Sequence, residues 1–293
     1  MAEDSDKPKQ ASLVLIGMGP NMLTSMTEEA IVAAKSADFR YYEAYTAMWP
    51  IEELERLESR VGPIKKVMRP EVEQPEEILN LAKENTVAVL VVGDPLQATT
   101  HVDLQLQAEE NGIDCRIIHG ISITNIVTGA IGLSNYKFGR QTTLTYPYSN
   151  WIATSPLEIL AMNRIMGHHT LALLDLDPTG AGTGKQQPMR PKDAVISIGL
   201  MIEKLSSGIE DINDNDSLSK LKKQAINELV ATKFADWNVV LCSDMGAEDQ
   251  SIIYTNLADL ADFPGGNMNC LVFPASTSDV EEKALLRWSR EEG

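Results

Sequence analysis

The segment AVLVVGDPLQATT, residues 88–100, holds the side chain best placed to bind a small polar ligand. Asp94 follows Gly93 directly after an apolar run that is typical of a buried strand. Residues just past the carboxyl end of a parallel strand face the ligand crevice of an open sheet. Asp94 therefore either accepts hydrogen bonds from a ligand amine or hydroxyl, or caps the helix after it. The spacing alone favours the helix cap.

A second segment of the same kind is His119-Gly120-Ile121-Ser122, which follows Ile117 and Ile118. Gly120 has no side chain and permits close approach of a neighbour, whereas Ser122 can cap a helix. This segment is therefore a second candidate for the ligand-binding edge of the sheet.

The run LVLIGMG, residues 13–19, ends in two glycines and resembles the start of a dinucleotide-binding turn. The third glycine of that fingerprint would fall at position 22, where Met22 stands, and Pro20 and Asn21 occupy the turn. The pattern favours a non-dinucleotide ligand or a purely structural turn.

The run GAGTGK, residues 180–185, resembles a phosphate-binding loop, but its spacing is wrong. That loop requires glycine at position 179 and serine or threonine at 186, where the chain has Thr179 and Gln186. Pro188 also interrupts the helix that should follow. We expect a glycine-rich surface loop.

The histidines and cysteines show no metal-binding or nucleophile pattern, so we expect no metal and no thiol chemistry. The default for the three cysteines is a buried reduced thiol, which favours a cytoplasmic protein. These residues are His101, His119, His168 and His169, and Cys115, Cys242 and Cys270.

Short β-branched runs alternate with helix-like segments, which is typical of an α/β protein with mainly parallel or mixed sheets. The predicted strands are 13–17, 39–43, 64–68, 87–92, 114–119, 142–146, 169–176, 238–242 and 269–273. The predicted helices of the second half are 192–205, 218–231, 251–261 and 279–288, with a loop at 207–217.

Helix-start signals are also readable. Ser25 with Glu28, and Ser155 with Glu158, have capping-box spacing. We expect a short tail at 1–10, an N-terminal domain at 11–139 and a C-terminal domain at 140–293.

The 293 residues include 42 acidic and 25 basic ones, which give a formal net charge of −17. This charge disfavours non-specific binding to nucleic acid or to an anionic membrane. Apolar runs are far shorter than the roughly 20 residues of a spanning helix. We expect neither a nucleic-acid nor a membrane partner.

Together these segments resemble the diphthine synthase family of the tetrapyrrole-methylase-like, class III S-adenosylmethionine-dependent methyltransferases. The resemblance covers most of the chain and is carried by LVLIGMG, GDPLQATTH, IIHGISITNIVTGAIGLSNYKFG, YPYSNWIATS and HTLALLDLD. GDPL followed by ATTH, and YKFG followed by an NW pair, are more specific than the shared glycine turn.

The resemblance implies two αβα domains, a homodimer and S-adenosylmethionine in the cleft between the domains. It implies repeated methylation of the amino group of 3-amino-3-carboxypropyl-histidine on translation elongation factor 2, in diphthamide biosynthesis. The resemblance places the methyl donor against Pro20, Asp94, Gln97, Ser122, Ile123, Leu174, Met245 and Asn269. Asn269 departs from the family, which commonly has histidine there.

The candidates for the acceptor side end strands or follow them, and their alternative role is packing and helix capping. These acceptor-side residues are Glu43, Tyr45, Thr46, Asn150 and Trp151. Methyl transfer to an amine needs in-line placement and a free lone pair rather than a strong base, so no residue is assigned as the base.

Two other functions are alternatives. One is a methyltransferase of the same fold that acts on a tetrapyrrole or on RNA, of which the RNA enzyme conflicts with the net charge. The other is a regulator that binds S-adenosylmethionine without catalysis.

Overall fold

The structure is a computed structural model and describes residues 11–148, 151–212 and 214–289. The chain divides into two units. Unit 1 contains the chain up to Ile123 together with Ala181–Lys185, and unit 2 contains Thr124–Gly180 with the chain from Gln186 onward. The domain boundary between residues 139 and 140 remains a prediction.

Unit 1 is built on a five-stranded sheet in which every pair is parallel. Its strands are β1 (Ser12–Gly17), β2 (Phe39–Glu43), β3 (Lys65–Val67), β4 (Thr86–Val91) and β5 (Asp114–Ile118), in the order β3-β2-β4-β1-β5. The two central strands, β1 and β4, are buried along nearly their whole length. Such continuous apolar runs are expected where helices cover both faces of a sheet.

The helices of unit 1 are α1 (Glu28–Ser36), α2 (Ile51–Val61), α3 (Arg69–Glu73), α4 (Glu76–Ala82) and α5 (Val102–Glu110). The predicted capping box at Ser25 is wrong, because Thr27 caps α1 by accepting a 3.1 Å bond from the Ala30 amide. The Ser25 hydroxyl instead donates to the Met22 and Pro20 carbonyls, at 2.5 and 2.9 Å, within the preceding turn.

Unit 2 contains a mixed five-stranded sheet. Its strands are β6 (Thr142–Leu144), β7 (Thr170–Leu174), β8 (Asn238–Ser243), β9 (Ser251–Asn256) and β10 (Asn269–Phe273), in the order β6-β7-β10-β8-β9. Only β6 and β7 pair in parallel, and the other three pairs are antiparallel. The predicted α/β class with parallel or mixed sheets is confirmed.

The helices of unit 2 are α6 (Ile123–Ala130), α7 (Ser155–Ile165), α8 (Pro191–Gly208), α9 (Ser217–Ala231), α10 (Leu257–Leu260) and α11 (Asp279–Leu286). The predicted helix at 251–261 is wrong over its first half, because the run SIIYTN forms the edge strand β9. Asn256 then caps α10 through the Asp259 amide at 3.0 Å. The predicted loop at 207–217 begins late, since α8 runs to Gly208.

The cap of α7 also differs from the prediction. Thr154 is the residue before the helix, and its hydroxyl donates to the Glu158 carboxylate at 2.8 Å. Throughout the described ranges, no helix has the length and apolar composition needed to span a bilayer.

A buried carboxylate joins three distant segments of unit 2. Glu281 is 4% exposed. Its carboxylate accepts bonds from Lys137 Nζ at 2.7 Å, from the Ser134 amide at 2.9 Å and from His169 Nε2 at 3.1 Å. The Ser278 amide also donates to it at 2.9 Å. This cluster fixes α11 to β7 and to the YKFG segment.

These contacts set the pKa of the carboxyl group. Burial alone would raise the pKa of Glu281, but the bonds from Lys137, Ser278, Ser134 and His169 outweigh it and hold the pKa well below its ordinary value of 4.5. A depressed carboxyl pKa contributes stability that is present above the ordinary value and is lost as the pH falls toward the folded-state pKa.

We therefore expect Glu281→Gln to lower the free energy of unfolding by about 3–5 kcal/mol at neutral pH, because Lys137 loses its buried counter-charge. The deficit relative to the wild type should shrink below about pH 4.5, where the wild type itself loses the contribution. Urea unfolding at neutral pH and below about pH 4.5 measures this deficit in the free energy of unfolding. Glu282→Gln, on the exposed face of the same helix, is the control and should change stability by less than about 0.5 kcal/mol. A deficit that did not depend on pH would contradict the assignment.

Candidate functional site

The carboxyl edge of the sheet in unit 1 has the topology of a ligand-binding edge. The chain leaves β1 toward β2 on one side and leaves β4 toward β5 on the other, so the loops after these adjacent strands diverge. Open α/β sheets bind ligands at such a switch point. The two loops are joined by a pair of 3.1 Å hydrogen bonds between the backbones of Gly19 and Gly93.

Three glycines bring the ends of β1, β4 and β5 into backbone contact. A Cβ atom on Gly17 would lie 2.4 Å from the Gly120 nitrogen, and one on Gly120 would lie 2.1 Å from the Gly93 oxygen. Neither position tolerates a side chain unless the backbone moves. The absence of side chains at these glycines therefore lets the three strand ends pack directly against one another.

Asp94 does not cap a helix, because α5 begins only at Val102. Its Oδ1 accepts from the Leu96 amide at 2.9 Å, which closes a local turn. Its Oδ2 accepts from His119 Nδ1 at 2.8 Å and from the Gly120 amide at 3.2 Å. Asp94 is 5% exposed, and it ties the loop after β4 to the loop after β5.

The other predicted donor residues of unit 1 lie at this same edge. Pro20 follows β1, Gln97 follows β4, and Ser122 and Ile123 follow β5. Gln97 is exposed, and its backbone N–H donates to the backbone carbonyl of Asp94 at 3.2 Å. Ser122 is buried.

Backbone strain is concentrated beside these residues. Asn21 and Ala98, which follow Pro20 and Gln97, have φ angles of 52° and 58°. A side chain other than glycine rarely adopts this left-handed region, at a cost on the order of 1–3 kcal/mol. Such strain is typical of ligand-binding loops, and it motivates the assignment of this edge as a binding site.

The three residues of unit 2 that are predicted to contact the methyl donor also share one edge of their sheet. Leu174 ends β7 and Asn269 begins the antiparallel β10, and Asn269 pairs in register with Ser243 at the end of β8. Met245 follows β8 and is 2% exposed. Asp244, which lies between Ser243 and Met245, has a φ of 48°. A strained residue therefore again adjoins a residue that is predicted to contact the methyl donor.

Asn269, which departs from the family pattern, is committed to the turn before β10. Its Oδ1 accepts from the Ser243 hydroxyl and from the Gly266 amide, each at 2.8 Å. Its Nδ2 donates to the Gly266 carbonyl at 3.0 Å. Asn269 is 7% exposed and therefore shapes this edge through the turn.

Two aspartates that the sequence analysis passed over organise the same edge. Asp175 accepts from the Tyr148 hydroxyl at 2.6 Å and from the Leu176 amide at 2.8 Å. Asp244 accepts from the Met268 amide at 2.8 Å. Each comes directly after a strand, which was the signal that could have identified them.

Three acceptor-side residues form one cluster around Glu43, which is fully buried. Glu43 Oε1 accepts from the backbone amides of Tyr45 and Thr46 at 2.7 and 2.8 Å, and Oε2 accepts from the Thr46 hydroxyl. Burial and the nearby Glu43 charge raise the pKa of Tyr45. In this geometry Glu43 holds the turn after β2.

His101, for which the sequence predicts no metal-binding role, joins this cluster. It is 1% exposed, and its Nδ1 donates to the Pro95 carbonyl at 3.2 Å. Its Nε2 lies 3.9 Å from Glu43 Oε2 and has no hydrogen-bond partner among the described residues. His101 thereby joins the loop after β4 to the turn after β2.

Trp151 belongs to unit 2. Its ring is 55% exposed, with Lys204 Nζ 5.4 Å from the ring centroid, and it lines a cavity of about 420 Å³ together with Leu200 and Glu203. Asn150 lies outside the described residues. Within the ranges that the structure covers, no group of three or more histidine, cysteine or acidic side chains could hold a metal ion.

Comparison with known proteins identifies consistent relatives. The model of the family described as tetrapyrrole (corrin/porphyrin) methylases matches residues 12–195. A diphthine synthase of Halorubrum lacusprofundi is 32% identical over 280 residues, which are 94% of this chain and 95% of that protein.

Two further relatives agree. A diphthine synthase of Methanoregula boonei is 39% identical over 168 residues, which are 56% of this chain and just under two thirds (66%) of that protein. A crystal structure of a diphthine synthase superposes with a TM-score of 0.75 and 26% identity, and covers 94% of this chain and 95% of its own.

The glycine contacts at the edge of unit 1 lead to a stability prediction. Gly120→Ala should lower the free energy of unfolding by about 1–3 kcal/mol, because the added methyl group meets rigid backbone. The matched control is Gly129→Ala, whose methyl group would have no neighbour within 4 Å on helix α6 and should stabilise by about 0.5–1 kcal/mol. Urea unfolding measures both, and equal effects would contradict the packing argument.

Proposed function

This chain belongs to the tetrapyrrole methylase family, and from that premise we propose that it acts as a diphthine synthase. In this function it transfers methyl groups from S-adenosylmethionine to the amino group of 3-amino-3-carboxypropyl-histidine on translation elongation factor 2, repeatedly, in diphthamide biosynthesis. The observation that carries the proposal is the similarity to a diphthine synthase over 94% of this chain.

The residues at the two sheet edges fit a methyl donor. The close packing at Gly17 and Gly120 holds the strand ends of unit 1 together, and residues with positive φ adjoin the predicted contacts in both units. The proposed donor contacts are Pro20, Asp94, Gln97, Ser122, Ile123, Leu174, Met245 and Asn269. When bound, S-adenosylmethionine supplies an electrophilic methyl group on a sulfonium.

The chain's own contribution is placement. Asp94 fixes the loops after β4 and β5 to each other, and Glu43 fixes the turn that carries Tyr45 and Thr46. Rigid loops hold the acceptor amine in line with the methyl group, and such placement supplies much of the acceleration. An amine with a pKa near 8–10 is partly neutral at physiological pH, so a strong base is not required. We propose Glu43, Tyr45, Thr46, Asn150 and Trp151 for the acceptor side.

The alternative functions are separable. An RNA methyltransferase conflicts with the net charge of −17. A tetrapyrrole enzyme would copurify with, or methylate, a coloured macrocycle. A regulator would bind the donor and methylate no protein. The similarity to diphthine synthases over 94% of the chain favours the protein substrate over all three.

The family resemblance also supports a two-fold homodimer and a cytoplasmic location. In unit 2, Tyr136 and Val280 are 94% and 76% exposed beside the Lys137–Glu281 pair. Single exposed apolar side chains are common on protein surfaces, so the homodimer is supported by the family resemblance, and a two-fold interface would use the same surface of both subunits.

Donor binding is tested through Asp94. We expect Asp94→Arg to weaken binding of S-adenosylhomocysteine more than tenfold, or about 1.4 kcal/mol or more, because it reverses a charge and adds bulk at the loop junction. Calorimetry measures the affinity. The control is Asp103→Arg, which makes the same charge change on an exposed carboxylate of α5.

Asp94→Asn covers the case in which the arginine variant does not fold, since the amide oxygen can still accept from Leu96. It should bind the product less tightly than the wild type does. Unchanged affinity in a folded Asp94 variant would remove Asp94 from the site.

Acceptor choice is tested with elongation factor 2 that carries the aminocarboxypropyl histidine. We expect this factor to gain successive methyl groups in mass spectra, and factor with unmodified histidine to gain none. An imidazole without the arm cannot place an amine in line, and misplacement by about 1 Å can cost roughly a hundredfold in rate. No methyl gain on the primed factor, with a donor-binding protein, would contradict the proposed function.

A further inference from the structure

A guanidinium group stands over the acceptor-side cluster. The Arg69 Cζ atom lies 5.3 Å from the centroid of the Tyr45 ring, and Tyr45 in turn meets the His101 ring edge-on, with the centroids 6.4 Å apart. The Arg69 side chain is 42% exposed. A planar guanidinium stacks favourably on an aromatic ring, so Tyr45 orients it.

The glycine-rich loop that imitates a phosphate-binding sequence is the second support of this arginine. The Arg69 amide donates to the Gly182 carbonyl at 3.1 Å. Gly182 has a φ of 63°, and a Cβ atom there would lie 2.5 Å from Arg69 Cβ and 3.0 Å from its Nε. Only glycine lets the Arg69 side chain lie against this loop, which gives the sequence GAGTGK a role other than phosphate binding.

The proposed acceptor carries a carboxylate beside the amine that is methylated. A carboxylate that leaves water needs a cation with hydrogen bonds, and the guanidinium fork matches both its oxygens. In a chain with a net charge of −17, such a cation must be provided locally. The existing ion pair of Arg69 with Glu73 spans 3.7 Å between half-exposed side chains, and such pairs are weak.

Three other basic side chains of unit 1 form their hydrogen bonds and ion pairs elsewhere. Arg40 donates to the Ala34 carbonyl at 2.5 Å, Lys65 pairs with Glu77 at 2.7 Å, and Arg116 pairs with Glu29. None of these partners belongs to the cluster of Glu43, Tyr45 and Thr46. Arg69, by contrast, contacts this cluster by stacking on the Tyr45 ring.

We propose that Arg69, held by Tyr45 and Gly182, binds the carboxylate of the acceptor's aminocarboxypropyl arm. This inference rests on the proposed function and deepens it, because it assigns the specificity for the arm to one residue. No covalent bond changes in this step. The Arg69 guanidinium exchanges its ion-pair partner Glu73 for the substrate carboxylate.

The test compares two acceptors in the methylation assay: elongation factor 2 with the native arm and the same factor with the arm carboxylate converted to an amide. We expect the wild type to prefer the carboxylate by about tenfold or more in kcat/KM. Arg69→Gln should lose this preference through a higher KM for the native arm, while its affinity for S-adenosylhomocysteine stays unchanged. Arg69→Lys should keep part of the preference, since it retains the charge without the fork.

The matched control is Arg56→Gln, which removes another arginine of unit 1 that pairs with a glutamate and should leave the preference intact. Gly182→Ala, which displaces Arg69 without removing it, should reduce the preference as well. A wild type that methylates the native arm while folded Arg69→Gln retains the full preference overturns the assignment of Arg69 alone. A wild type that leaves the native arm unmethylated overturns the proposed function together with it.

Discussion

The backbone contact among Gly17, Gly93 and Gly120 is the constraint on which the organisation of unit 1 depends. It brings the carboxyl ends of β1, β4 and β5 closer together than any side chain would allow. The Asp94 carboxylate can reach the Gly120 amide because of this proximity, and the Gly19–Gly93 bridge forms beside it. The glycines, which lack Cβ atoms, thus determine how the strand ends pack, and the hydrogen bonds of Asp94 depend on that packing.

The general organisation could be predicted from the chain alone. Alternating apolar runs and glycine turns indicated the α/β class, and the landmark motifs indicated the family and its methyltransferase class, all of which the structure and the relatives bear out. The run SIIYTN was misassigned because a short segment with four apolar or β-branched residues fits an edge strand as well as a helix, and pairing with β8 decides between them. Ser25 and Thr27 are both good caps, and only the turn geometry selects Thr27.

That the candidate residues follow strand ends was predictable, but the contacts that they make were less so. Sequence reasoning placed Asp94 and Ser122 at strand ends, where the structure has them, yet it favoured the wrong partner for Asp94 because His119 and Gly120 are 25 and 26 residues away. Arg69 and Gly182 are further apart still, and no local pattern links them. Long-range contacts of this kind arise from the topology, so periodicity and spacing carry no signal for them.

The Lys137–Glu281 cluster has a consequence for the dynamics of unit 2. Short helices with few tertiary contacts commonly fray first. Here α11 is anchored through a buried, fully hydrogen-bonded charge to the YKFG segment and to His169 on the strand side. Amide hydrogens in α11 should therefore exchange only with cooperative opening of the unit. The YKFG motif, which is one of the family landmarks, thus joins the segment before β6 to helix α11 in unit 2.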